Sequence, residues 1–82
     1  MKLKIGYLYR DGYGDIFAIT KNNSVNNNLC KSYPYVGSII NEGEIDHFYT
    51  DTGKYNDMRK SPTLLDLIEE IGKAEDNPEY FL

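Results

Sequence analysis

Residues 61–73 read SPTLLDLIEEIGK. Ser61 suits the position just before a helix, because its hydroxyl accepts a bond from one of the unpaired N–H groups of the first turn. Pro62 suits the first helical position, where no N–H is needed. Leu64, Leu67, Ile68 and Ile71 recur at i, i+3, i+4 and i+7, which places them on one face of a 3.6-residue period. The spacing predicts a helix over 62–76, with Gly72 near its end. The fold class turns on this segment, because everything upstream reads as sheet.

Working outward, KLKIGYLY (2–9) alternates, with Leu3, Ile5, Tyr7 and Tyr9 against Lys2 and Lys4. That is the pattern of a strand with one buried face. RDGYGD (10–15) is turn chemistry and DIFAITK (15–21) a second strand, giving a β-hairpin over 2–21. Five asparagines in NNSVNNNLCKS (22–32) break the pattern and predict an exposed loop. YPYVGSII (33–40) and IDHFYT (45–50) are the next strands, joined by NEGE (41–44). DTGK (51–54) is a tight turn and Tyr55 opens a short further strand, so a second hairpin covers 33–57. The expected fold is α+β: a small antiparallel β-sheet of four to five strands in one domain, 1–82, with a C-terminal helix packed on it. The closing NPEYFL is expected to dock its aromatic end on the sheet or on a partner subunit.

Composition limits the function classes. At 82 residues the core is small, and a homo-oligomer is expected to supply further burial. Eight tyrosines and no tryptophan suit half-buried strands and interfaces. A single cysteine, Cys30, leaves no internal disulfide and no zinc framework. MKLKIGYLYR has no apolar run of signal-peptide length and no stretch approaches a membrane span, so a cytoplasmic, non-membrane protein is expected. The net charge of −4 gathers in residues 62–82, where six acids face only Lys73. That argues against direct nucleic-acid binding, which calls for a basic face.

Catalytic and metal patterns are missing from the sequence. HFYTDTGKYND (47–57) has Asp51, Gly53 and Asp57, yet lysine follows the glycine and no glutamate closes a calcium loop. His47 is the only histidine and reads as a half-buried strand residue, with no cluster of partners for a metal or a nucleophile. No glycine-rich loop leads into a helix. The expectation is therefore a non-enzymatic protein with no catalytic residue, no metal and no cofactor. What remains is a set of charged and aromatic residues at turns and strand ends: Arg10, Asp11, Tyr33, Tyr35, Tyr49, Lys54, Tyr55 and Arg59. Aromatic faces stack on a base and Arg or Lys bonds a phosphate, so this set is the expected ligand site for a nucleotide-type molecule.

The ordered stretches RDG (10–12), YPYVGSI (33–39), FYTDTGKY (48–55) and SPTLLDLIEE (61–70) resemble a group of small phage-encoded proteins. Their shared pattern is a strand, an R-D-G turn, Y-P-x-x-G-x-I, and a Y-T-x-x-G-K-Y turn. Against that pattern the Asn-rich loop looks like an insertion. The resemblance implies a phage source, an infected bacterial cytoplasm and, for a small acidic protein without catalytic motifs, a role against host defence. Two mechanisms fit: sequestering a nucleotide-derived immune signal at the turn cluster, or binding a host defence protein through the acidic 62–76 segment or an exposed strand edge, in the manner of an anti-CRISPR protein. A small phage accessory or structural protein is the third reading.

Overall fold

The computed structural model describes residues 1–22, 33–40, 46–55 and 63–81. The NEGE turn, Cys30, Arg59, Ser61, Pro62, Leu82 and all but the first residue of the Asn-rich loop lie outside the described residues.

Five strands form one antiparallel sheet: β1 (Tyr7–Asp11), β2 (Ile16–Asn22), β3 (Tyr35–Ile39), β4 (Asp46–Tyr49) and β5 (Leu67–Lys73). Their order is β4-β3-β2-β1-β5. The first four make a meander, and β5 returns to pair with β1. Alternation, clear in the sequence for these four, sets which side is buried. Tyr9, Phe17, Ile19, Ile39 and Tyr49 form the core with Leu3 and Leu67, and Tyr7 and Tyr35 pack against it. The β1 strand begins later than the alternation from Lys2 predicts, because Gly6 takes a left-handed φ of 86° and turns the chain before Tyr7.

The helix expected over 62–76 is corrected: residues 67–73 are β5, and among the described residues helical structure is limited to 3-10 turns at Ala74–Asp76 and Pro78–Tyr80. The apolar spacing that suggested a helix has another cause. Tyr9 pairs with Glu70, Arg10 with Glu69, but Asp11 with Leu67 and Leu8 with Gly72. Ile68 and Ile71 are thus the extra residues of two β-bulges. A period of two interrupted twice spaces the apolar residues at three and four, as a helix does. The expected start, Ser61 and Pro62, lies outside the described residues, and a turn follows it. Asp66 N–H donates to the Thr63 carbonyl at 3.1 Å, and the Asp66 carboxylate accepts from Thr63 N–H at 3.0 Å. The two bonds close a single turn ahead of β5.

Tertiary demand decides the outcome. Leu8 and Tyr9 in β1 are both fully buried, so β1 is a central strand and needs a partner on each side. β2 supplies one and β5 the other. The Tyr9 hydroxyl accepts from Lys4 N–H at 2.9 Å and donates to Glu70 Oε1 at 3.2 Å. Burial, assisted by the Glu70 charge, pushes that phenol up to about 12.

The sheet curls until the turn after β4 meets the start of β5. Leu67 N–H donates to the Gly53 carbonyl at 2.8 Å, and Leu3 N–H to the Asp51 carbonyl at 2.9 Å. Gly53 sits at φ 92°, where only glycine is at ease. This turn leads to a bend at Tyr55, and the rest of the short strand expected from there lies outside the described residues.

Candidate functional site

β4 alternates His47 and Tyr49 inward, with Asp46 and Phe48 exposed. Opposite them on β3 lies Gly37, and the Tyr49 ring occupies the space a side chain would need there: an added Cβ would sit 2.7 Å from Cε2. His47 stacks on Phe17 with centroids 4.8 Å apart, and Tyr55 meets His47 edge-on at 5.1 Å. Tyr49 lies edge-on to Phe17 at 6.0 Å and to Tyr55 at 6.3 Å. The Tyr49 hydroxyl is 3.2 Å from His47 Nδ1. Four rings from β2, β4 and the following turn therefore form one cluster, in the edge and offset arrangements that aromatic quadrupoles favour.

Two buried carboxylates anchor the backbone around the cluster. Asp66 Oδ1 accepts from Tyr55 N–H at 2.9 Å and from the Thr63 hydroxyl at 3.1 Å, latching the 50–55 turn to the approach of β5. Burial alone raises the Asp66 pKa, but its bonds from Thr63 and Tyr55 and the charge of Lys54 outweigh that and hold it below the usual carboxylate value. Asp11 is buried too, and one oxygen accepts from Tyr13 N–H and Asp15 N–H, each at 2.9 Å. Burial first, then the nearby charges of Asp11, Tyr55 and Asp66, raises the Tyr49 pKa far above that of a free phenol.

The expected site residues are brought together only in part. Tyr35, Tyr49, Lys54 and Tyr55 are brought together: Tyr35 is the register partner of Tyr49, and Lys54 and Tyr55 follow in the latched turn. Within that group Tyr49 is fully buried, so it supports the cluster and offers no open face. Asp11 is committed to holding its own turn. Arg10 alternates away from the core and its Nε donates to Glu69 Oε1 at 3.1 Å across the β1–β5 ladder. Tyr33 is half-buried just before β3, and Arg59 lies outside the described residues.

His47, Phe17 and Asp66 were not among the expected site residues. His47 was detectable from its phase with Tyr49; nothing local marks Asp66, whose partners depend on the chain folding back.

What the cluster offers outward is the half-buried His47 and the exposed Tyr55; Lys54, half-buried on the same turn, is close enough to lower the pKa of the buried Asp66. Among the described residues no group of His, Cys, Asp or Glu is placed to hold a metal ion, and no helix is long and apolar enough to cross a membrane. In comparison with known proteins, no family model, no curated protein and no solved structure matches the chain.

Proposed function

We propose that this protein is a non-enzymatic binding domain that holds a small nucleotide-type ligand at the His47–Tyr55–Lys54 end of the sheet. In the phage setting implied by the sequence resemblance, it withholds a nucleotide-derived signal from a host defence system. The observation that supports this is convergence. Rings from β2 and β4 and a lysine-bearing turn meet at one place, and the buried Asp66 fixes the turn that carries Tyr55 and Lys54. An aromatic edge beside an ammonium suits a base next to a phosphate. Tyr49 and Asp11 keep supporting roles, and Arg10 would reach a ligand only by leaving Glu69.

The test is thermal melting with a panel of cyclic and ADP-ribose-type nucleotides, paired with native mass spectrometry. At ~100 times its dissociation constant a ligand adds about 2.7 kcal/mol and raises the melting point by many degrees. The expected result is a shift with intact ligand recovered on denaturation, in a homo-oligomeric complex, abolished by Lys54→Ala or Tyr55→Ala. Recovery of altered ligand would make the protein an enzyme. No shift with any nucleotide would remove this reading in favour of a protein partner.

A further inference from the structure

The Tyr49 hydroxyl fixes more than the packing of the cluster. Tyr49 is fully buried, and among the described residues the partner of its hydroxyl is His47 Nδ1, at 3.2 Å. The phenol keeps its hydrogen, because burial and then the charges of Asp11, Tyr55 and Asp66 raise its pKa far above that of a free phenol. The two carboxylates whose charge it feels are bonded elsewhere: Asp11 to Tyr13 N–H and Asp15 N–H, Asp66 to Tyr55 N–H and to Thr63. A buried hydroxyl hydrogen without an acceptor is costly, so the Tyr49 hydroxyl donates and Nδ1 accepts. Nδ1 is therefore bare, and the single hydrogen of the neutral imidazole sits on Nε2.

Nε2 has no hydrogen-bond partner among the described residues, and no buried side-chain nitrogen or oxygen among them lacks one. His47 is half-buried, so Nε2 opens to solvent. The ring that carries it is held on two sides, stacked on Phe17 at 4.8 Å and met edge-on by Tyr55 at 5.1 Å. This end of the sheet thus points one N–H outward from a ring fixed both in plane and in tautomer, while its buried carboxylates are spent on their own turns.

We infer that His47, set in its Nε2–H tautomer by Tyr49, is the residue by which the site selects its base, donating to an acceptor atom on the base edge. Guanine carries two acceptors, N7 and O6, on the edge that a duplex shows in its major groove, whereas cytosine carries an amino donor there. A donor set against a donor leaves both unpaired when the complex closes, so cytosine is rejected and guanine kept. Lys54 retains the phosphate, and Tyr49 is a positioning residue that touches no ligand. This selection deepens the nucleotide reading and rests on it.

The experiment has two readouts on the full chain. The first needs no ligand: the ring nitrogen chemical shifts of His47, the chain's single histidine, in mildly alkaline buffer where a free imidazole is neutral. The expected spectrum shows hydrogen on Nε2 and a bare Nδ1, and Tyr49→Phe is expected to draw the two shifts together as the tautomers mix. Hydrogen on Nδ1, or shifts that Tyr49→Phe leaves in place, would overturn the inference. The second readout is calorimetric titration with guanosine monophosphate and cytidine monophosphate. The guanosine form is expected to bind tighter by ~tenfold or more. His47→Phe, which keeps an aromatic ring on Phe17, is expected to bring the two within ~twofold of each other. A preference that survives His47→Phe would belong to stacking and would overturn the inference. Tyr49→Phe removes one hydroxyl and is expected to lower the preference as well, which keeps the test valid if His47→Phe fails to fold. Lys54→Ala is expected to weaken both nucleotides alike and leave their ratio unchanged. If neither monophosphate binds while another nucleotide of the panel does, the base selection falls and the nucleotide site stands. If no nucleotide binds, both fall together, whichever tautomer is found.

Discussion

Gly37 is the residue on which the aromatic cluster rests. A methyl group there would press against the Tyr49 ring, which is fully buried and has no room to withdraw. Gly37→Ala is expected to cost ~1–3 kcal/mol by overpacking, read as a lower urea midpoint with an unchanged slope. Asp66 gives a pH signature. Its folded pKa is depressed, so its stabilisation is present above the unfolded-chain value near 3.8 and is lost as pH falls through the lower folded value. Asp66→Asn is expected to lose ~1.5–3 kcal/mol at neutral pH through weaker hydrogen bonds. It is also expected to flatten the acid limb of a stability-against-pH curve relative to the parent. A curve of unchanged shape would show that another carboxylate governs acid unfolding. At this scale the sequence displays the residue types of the site but not their exposure. Tyr35, Tyr49 and Tyr55 are equivalent as letters. Only the curl of the sheet puts Tyr49 beneath the cluster and Tyr55 at its edge.

Among the elements, β1 to β4 were legible because their alternation and turn residues agree with one another. β5 was not, because two bulges disguise its period and space its apolar residues as a helix would. The strand that a buried β1 requires is distant in sequence, 61 residues separating Tyr9 from Glu70, beyond the reach of any local window. The difference between strand and helix makes a sharp prediction for two neighbours. On an amphipathic helix Leu67 and Ile68 would share the buried face and cost similar amounts when truncated. In β5 Leu67 is 4% exposed and Ile68 63%. Leu67→Ala is expected to cost ~2–5 kcal/mol by chemical denaturation, whereas Ile68→Ala should fall within ~0.5 kcal/mol of the parent. Equal losses would reinstate the helix.

The whole molecule is held in its curled form by a few backbone bonds that join distant parts: Leu3 to Asp51, Gly53 to Leu67, Gly12 to Leu64. Gly53 is central to this closure, since a side chain there would strain a φ of 92° and meet both Met1 Cε at 3.1 Å and Leu67 Cβ at 3.2 Å. Gly53→Val is expected to cost at least ~1–3 kcal/mol and to weaken any ligand of Lys54 and Tyr55 at the same time, measured by melting with and without nucleotide. Stability lost with affinity retained would separate the closure from the site. Such long-range pairing also predicts folding in milliseconds to seconds rather than microseconds, checked by stopped-flow dilution from urea.

The burial of Tyr9 and Tyr49 has an optical consequence. The chain has no tryptophan, so phenol and phenolate dominate its near-ultraviolet spectrum. Both phenols ionise late in the folded chain, Tyr9 at about 12 and Tyr49 later still. Their raised values add stability that is complete below the unfolded phenol value of 10.0 and is lost as pH rises through the folded values. In an alkaline titration, the phenolate absorbance of these two rings should appear together with the loss of β-sheet circular dichroism. The protein thus carries its own indicator dye for the integrity of its core, readable without a label.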